Sequence, residues 1–378
     1  MMVGYLERPA GDALRVVEID REDHHRWEAF VDAHPEGSIY HHPAWMQTLL
    51  REYDRKPVIR ACEDSAGQIR GVLPLLETCG LPFNVGRQMI GHRLSSLPRT
   101  PVVGPLALDA QAATALVRSA VERVRREPGT QLQLKMDSNS LDGAVDGLET
   151  AAWRLTYVLE LPQHAEQIRF GNSRNHARIK WAVNKATGAG VSVRPAEAES
   201  ELKAWYRLYL DTMRWHAAPP RPYRFFHACW ELLRPKGLMR LLLAEQTEAG
   251  QTKLLSGSIL LTFGQTVFYA FNGRRKEDLA LRPNDAIHWR AIHDACAEGF
   301  RYYDFGEVLE DNKGLAEFKG KWGTEAKRLY RYYYPGLQHG DSHAGESEGR
   351  TQQLASAVWR RLPLAATALL GDRIYSYL

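Results

Sequence analysis

The sequence predicts an α/β (α+β) protein, and three observations carry that expectation. Helical and strand patterns alternate along the chain, as mixed layers require. In Ala110–Arg126 the residues Ala113, Leu116, Val117, Ala120, Val121 and Val124 fall on one stripe, which marks an amphipathic helix. Just after it, Gln131–Met136 alternates polar and apolar residues with the period of a strand. The chain has 378 residues, 44% apolar and 25% charged, which is enough for two hydrophobic cores.

The first half opens with helices at Arg21–Ala33 and Pro43–Tyr53; Pro43 starts the second, where a missing N–H costs nothing. Strands at Pro57–Cys62 and Ile69–Leu76 flank the turn-prone Asp64-Ser65-Ala66-Gly67. The Gly- and Pro-rich Cys79–Pro105 reads as a loop with short extended pieces. Trp153–Leu159 reads as a strand. The second half begins with a basic helix, Ser173–Ala186, followed by helices at Ala198–Trp215 and Tyr223–Leu233. Strands at Leu238–Glu245, Lys253–Phe263 and Thr266–Phe271 lead to a helix at Asn284–Gly299. A strand at Tyr302–Phe305, a short helix at Lys313–Lys321 and a strand at Arg328–Tyr334 complete it. The expected domains are 1–165 and 166–337, with a polar linker at 338–353 and an apolar helical tail at 354–378.

The net charge of +4 and pI of about 8.8 permit an anionic partner without demanding one. Cys62, Cys79, Cys229 and Cys296 form no CxxC pair, which argues against a zinc cluster or disulfide framework and for a reduced, cytoplasmic protein. No secretory signal is visible, and no apolar run reaches the ~18 residues of a membrane span. Adjacent His41 and His42 diverge on a helix, and His288 and His293 are five apart, so neither pair reads as a metal site.

Five passages, in order, carry a family resemblance. They are IYHHPAWMQTL with GVLPLL in the first half, then SRNHARIKWAVNKATGAGVSV, WYRLYLDTMRWHAAPPRPYRFF, NDAIHWRAIHDACAEGFRYYDFG and GLAEFKGKWGTEAKRLY. Together the chain resembles the FemAB/FemX aminoacyltransferases of the GNAT acetyltransferase superfamily, with a BioF2-like acetyltransferase domain, most strongly over Arg174–Tyr334. The resemblance implies two tandem GNAT-like domains, each a mixed, mainly antiparallel sheet flanked by helices, with substrate in the cleft between them. It implies transfer of an aminoacyl or acyl group onto an amine of a cell-envelope precursor or peptide. No permanently bound cofactor is expected. An activated ester or thioester already has a good leaving group, so no covalent enzyme intermediate is required.

Within that resemblance Lys319, of the pair Phe318-Lys319, is expected near the reacting carbonyl, where its ammonium stabilises developing negative charge. Asp304, Phe305, Gly306 and Glu307 follow a strand, where α/β sites tend to lie; either carboxylate suits the amine proton, and Gly306 lets a ligand approach the backbone. Tyr269 and Asn272 lie on a strand that splays in acetyltransferase domains, and Tyr269 suits the leaving group. Arg174, Arg178, Trp181 and Lys185 share one helical face that suits a phosphate-bearing partner. Six basic residues between Lys313 and Arg331 form a second patch. Arg214, His41 and Trp45 complete the substrate-binding candidates.

Coenzyme A enzymes grip pyrophosphate with a Q/R-x-x-G-x-G/A loop. The corresponding stretch here, RRKEDLALRPND, has no glycine, which favours the acceptor end of an aminoacyl-tRNA as donor over an acyl-coenzyme A thioester. The long helical arm that some members use for tRNA is also missing. The alternatives are an acyl-coenzyme A-dependent N-acetyltransferase of envelope polysaccharide biosynthesis, or a non-catalytic envelope-binding protein. Trp359, Arg360 and Arg361 would give the apolar tail a peripheral membrane contact.

Overall fold

The computed structural model describes residues 13–20, 22–80, 90–248, 250–336 and 350–377. The first half comprises β1 (Arg15–Glu18), α1 (His24–Ala33), α2 (Pro43–Glu52), β2 (Pro57–Glu63), β3 (Ile69–Gly80), β4 (Ile90–Ser95), β5 (Leu106–Ala107), α3 (Ala110–Arg126), β6 (Thr130–Met136) and β7 (Glu149–Glu160). The second comprises α4 (Ser173–Gly188), β8 (Val191–Pro195), α5 (Glu199–Trp215), α6 (Tyr223–Leu232), β9 (Met239–Glu248), β10 (Gln251–Phe263), β11 (Thr266–Arg274), α7 (Pro283–Ala297), β12 (Tyr302–Val308), α8 (Lys313–Gly320) and β13 (Glu325–Tyr334). Helices α9 (Arg350–Trp359) and α10 (Leu364–Tyr377) form the tail.

The two halves repeat one order: a strand, two helices, three strands, a helix and two strands, with β5 and the helices α4 and α8 as additions. Their strands join in one sheet, β1-β2-β3-β4-β6-β13-β7-β12-β11-β10-β9-β8, with β5 on the side of β3. The named pairs are antiparallel except β4 with β6 and β11 with β12. At the centre the final strands are exchanged. β13 of the second half lies against β6 of the first, and β7 of the first lies against β12 of the second. The two exchanged strands then pair with each other.

Burial follows from this. On one face α1 and α2 pack with α5 and α6 into a single core, whose large members include Trp27, Trp45, Trp205, Phe225 and Phe226. On the other, α3 covers the first half and α7 the second, each over its own core. The apolar stripe read in Ala110–Arg126 is the buried face of α3, and Asp109 caps that helix by accepting from Ala112 N.

Three expectations need amendment. Within Cys79–Pro105, expected to be mainly loop, β4 is an internal strand paired on both sides; residues 81–89 of that stretch lie outside those described. Its IGHRLS sequence lacks an apolar run because one face borders a cavity rather than a core. The short strands β1 and β8, at the two ends of the sheet, escaped the sequence pattern. Most of the expected linker, 338–353, lies outside the described residues.

The tail folds as helix, and α10 is fastened to the body. The Tyr53 hydroxyl donates to the Asp372 carbonyl and carboxylate at 2.8 Å each, and Arg224 reaches the same carboxylate at 2.6 and 3.0 Å. Arg55 donates to the Tyr375 carbonyl at 2.8 Å. The helix comes so near Pro220 that a Cβ on Gly371 would lie 2.4 Å from the proline Cδ and 2.7 Å from its carbonyl oxygen. A Gly371→Ala substitution is therefore expected to cost about 1–3 kcal/mol as overpacking. Chemical denaturation would show it as a lower midpoint with an unchanged slope; an unchanged midpoint would mean that α10 is not held this closely.

Candidate active site

The site begins where two parallel strands part. β11 and β12 stay in register only from Thr266–Tyr302 to Phe268–Asp304. Past that point β11 bulges against β10, so Ala270 has no register partner, and β12 breaks register with β7 between Asp304 and Glu307. Gly306 makes the second corner with φ of +78°. A cavity of about 560 Å³ opens here among the described residues, bounded by both halves of the molecule.

Of the candidates read from sequence, Trp45, Tyr269, Asp304, Gly306, Glu307 and Lys319 line this cavity. Lys319 is buried, because α8 folds across the β12 corner. Its Nζ donates to the carbonyl oxygens of Phe305, Gly306 and Glu307 at 2.6, 2.9 and 3.1 Å. An ammonium has three protons, so the corner uses all of them. The lysine, expected near a reacting carbonyl, thus holds the corner and lends it positive charge. Burial pulls its pKa down to about 8, against the pull of Asp304 and Glu307.

Asp304 is enclosed as well. Its carboxylate accepts from the Thr156 hydroxyl at 2.8 Å and from Gly306 N at 2.7 Å. Burial pushes its pKa up, and these two bonds and Lys319 hold back part of the rise. Glu307 accepts from Arg154 at 3.2 Å. Burial pushes the Tyr269 phenol up to about 12, so it remains a proton donor at neutral pH. The Trp45 indole donates to Thr100 Oγ1 at 3.2 Å, on the opposite wall.

The other candidates lie elsewhere. Asn272 donates to Ser258 Oγ at 3.0 Å and to the Gly257 carbonyl at 3.3 Å, inside the sheet's helix-covered face. Phe318 packs beside His288, under the Lys321 ammonium. His41 is buried between Ser38 Oγ at 2.8 Å and the Gly104 carbonyl at 3.2 Å, and burial pulls its pKa to about 4, so it is a neutral structural group. Arg214 binds Asp211 and the Leu362 carbonyl, tying α5 to the tail. Arg174, Arg178, Trp181 and Lys185 do share one exposed face of α4, away from the cavity lining. Trp181 has Lys185 and Arg282 over its ring at 5.5 and 5.6 Å. Of the basic residues from Lys313 to Arg331, only Lys319 and Arg331 line the cavity; Lys321, Lys327 and Arg328 pair with Asp285, Glu325 and Glu310.

One possible metal cluster exists among the described residues, Glu28, Asp32 and His42. His42 Nδ1 caps α2 by accepting from Ala44 N at 3.0 Å, so the neutral ring carries its proton on Nε2, the nitrogen facing the two carboxylates. Glu28 is also held by Lys236. The trio reads as an ion-pair network, not as ligands.

The stretch Arg274–Asp285, examined for a pyrophosphate loop, closes on itself. Asp278 accepts from Lys253 at 2.8 Å, Leu279–Leu281 forms a 3₁₀ turn, and Arg282 enters α7 with φ of +61°. In the first turn of α7, Asp285 is buried and paired with Lys321. A buried, lysine-paired carboxylate thus already stands in the first turn of the helix whose end an incoming phosphate would seek.

Residues 172–320 match the family model of the acetyltransferase (GNAT) domain. The second half of the chain therefore carries a GNAT-type domain. Its overall fold is that of FemX, with a TM-score of 0.64 at 17% identity over 85% of this chain and 98% of that one. The C-terminal domain (DUF2156) of a putative lysylphosphatidylglycerol synthetase from Agrobacterium fabrum is similar too, with a TM-score of 0.54 at 12% identity over 82% and 91% of the two chains. L-PGS from Bacillus licheniformis gives 0.53 at 12% over 91% and 98%. No curated protein matches the chain in sequence. Within the matched stretch β11 and β12 are the parted strands that border the cavity, and the tandem arrangement expected from sequence is the repeat described above.

Sequence reading missed Arg93, Arg99, Lys135, Trp153 and Arg154, all on the cavity wall. A signal was present: in QLQLKM the apolar face of the strand is buried, so the Gln133 and Lys135 face looked like a solvent face. Gly306→Ala tests the corner. A Cβ there meets nothing closer than 3.7 Å, so the expected cost is the left-handed backbone alone, about 1–2 kcal/mol. The melting temperature is expected to fall by the amount that cost implies, and an unchanged melting temperature would mean that the corner is not left-handed.

Proposed function

We propose that the protein transfers an aminoacyl group, from the ester at the acceptor end of a tRNA, to an amine that attacks it directly in this cavity. The parted β11 and β12, with Ala270 unpaired and Lys319 bound under the Gly306 corner, carry that reading. The amine nitrogen forms a bond to the ester carbon, and the carbon–oxygen bond to the carrier breaks. Asp304 or Glu307 takes the amine proton, and the Tyr269 hydroxyl supplies one to the departing oxygen. Charge on the carbonyl oxygen develops against the positive corner held by Lys319.

The choice of donor rests on two features. The first turn of α7 holds the buried carboxylate of Asp285, and negative charge there disfavours a coenzyme A pyrophosphate. The exposed Trp181, flanked by Lys185 and Arg282 on a helix without acidic residues, suits stacking and phosphate contacts to single-stranded RNA. One similar fold is named for lysylphosphatidylglycerol, an aminoacyl product, which supports the same preference. Acyl-coenzyme A stays as the second reading on the strength of the acetyltransferase family itself. The acceptor we propose is an amine of a cell-envelope precursor or peptide, met in the cytoplasm. Peripheral contact with a membrane would use the tail, where Val358, Leu369 and Leu370 are exposed beside Arg360 and Arg361. No helix among the described residues is long and apolar enough to cross a membrane.

Incubating the protein with charged tRNA and, separately, with acyl-coenzyme A tests the donor. Deacylation or product from tRNA is expected, and turnover of coenzyme A thioesters alone would overturn the preference. Trp181→Ala is expected to weaken tRNA binding, and Lys185→Ala to weaken it and flatten its salt dependence by about one ion. Lys319→Met is expected to lower kcat by roughly 100–1,000-fold while the far-UV spectrum is retained.

The pH profile gives a sharper check. Lys319 carries its charge below a pKa of about 8 and loses it above. The wild-type rate should therefore decline as pH rises through that value, and the Lys319→Met profile should lack that limb. A limb of equal size in both proteins would assign it to another group.

A further inference from the structure

Lys135 on β6 and Arg331 on β13 stand directly opposite each other across an antiparallel strand pair. Like charges in that position repel. Both face the cavity, and Lys135 is only 4% exposed. One Lys135 proton goes to the Leu97 carbonyl at 2.7 Å. Arg331 lies flat on the Trp153 ring at 3.4 Å, and its Nε is buried without a hydrogen-bond partner. Arg99 joins them from the loop after β4, with φ of +55° and the Tyr375 ring of the tail against its guanidinium at 5.0 Å.

Counter-charge is scarce. Besides Arg93, the cavity lining holds five cationic side chains, Arg99, Lys135, Arg154, Lys319 and Arg331, against two carboxylates, Asp304 and Glu307. Asp304 is turned to Thr156 and the Gly306 corner, and Glu307 accepts from Arg154. Buried charge without a partner is costly enough that proteins seldom keep it without use. Arginine's planar fork and a neighbouring ammonium fit a tetrahedral or planar oxyanion. On the same sheet face, Gln133 lies one step along from Lys135 and opposite Tyr333, and Ser95 is its parallel neighbour; all three line the cavity.

We propose that Arg99, Lys135 and Arg331 form an oxyanion-binding subsite that holds a phosphate or carboxylate group of the amine acceptor. The assignment to the acceptor rests on the acyl-transfer reading. The donor carbonyl belongs at the parted strands of the second half, whereas this trio stands on β6, β13 and the loop after β4. An acceptor anchored there by its anion presents its amine toward Asp304 and Glu307 from the opposite wall.

The binding claim needs no turnover to test. The full-length protein would be titrated with orthophosphate, pyrophosphate and succinate at constant ionic strength, by calorimetry and thermal shift. Saturable binding of at least one is expected, and the preferred one tells phosphate from carboxylate. Lys135→Met and Arg331→Met are expected to weaken it at least about thirtyfold. The surface control Lys180→Ala should bind as wild type. Lys135→Met removes a like-charge contact and leaves the Leu97 carbonyl without its donor, so its melting curve and far-UV spectrum are recorded alongside, and loss of binding in a folded variant reads directly. Absence of saturable binding to all three anions, or equal binding by wild type and Lys135→Met, would overturn the subsite. Where transfer is measurable, the bound anion should compete with the acceptor. Competition with the donor alone would overturn the assignment to the acceptor and leave the anion site standing. Failure of transfer with every donor would count against the function, not against the subsite.

Discussion

Each half of the molecule completes the other half's sheet. β7 leaves the first half to lie on β12, β13 leaves the second to lie on β6, and the two pair along the middle. Everything at the site depends on this exchange. It sets Arg331 opposite Lys135, and it brings Thr156 of β7 to the Asp304 carboxylate. Arg154 of β7 reaches Glu307 by the same route. None of these pairs comes from one half alone. The shared core of α1, α2, α5 and α6 on one face then packs across the seam.

The cavity's electrostatics are costly to maintain. Lys319 spends its three protons on one backbone corner, and burial weakens its hold on the charge. Burial, with Arg331, Arg99 and Arg221 nearby, also pulls Lys135 down. A fold selected for stability alone would place apolar side chains there. Conflict of this kind concentrates where a protein works, because a preorganised field aimed at a substrate is a stressed arrangement without it. Asp304 shares the same enclosure: burial raises its pKa, and Gly306 N, Thr156 and Lys319 hold back part of the rise.

How much of this was legible follows from what each residue type signals. The stripe on α3, the strands β10 and β11 and the helices α5 to α7 were readable, because their periodicity reports burial directly. Lys319, Asp304, Gly306, Glu307 and Tyr269 were found through motif order, not pattern, and all five reach the cavity. Lys135, Arg99 and Arg154 were not found. A polar strand face that borders a cavity has the same alternation as one that borders water. The exchange of β7 and β13 is likewise invisible in sequence, since strand partners are chosen by tertiary packing and not by local spacing. The cationic face of α4 was legible as a face, and its distance from the cavity was not.

The repeated order of elements does not make the halves equivalent. In the second half β11 and β12 part, and the gap between them is left open to the cavity. In the first half the corresponding parallel pair, β4 and β6, runs in register from His92–Thr130 to Ser95–Gln133. Beyond it the chain's own backbone continues the contact: Ser96 N donates to the Gln133 carbonyl, Val103 bridges to Lys135, and Leu97 O takes the lysine's proton. The gap that stays open in the second half is filled in the first by residues 96–103, which carry Arg99. On the acyl-transfer reading proposed above, the open gap would offer backbone to a carbonyl and the closed one would set basic side chains across from it. A duplicated fold with both gaps open would, on that reading, have two carbonyl sites and nothing across from either to hold the second substrate.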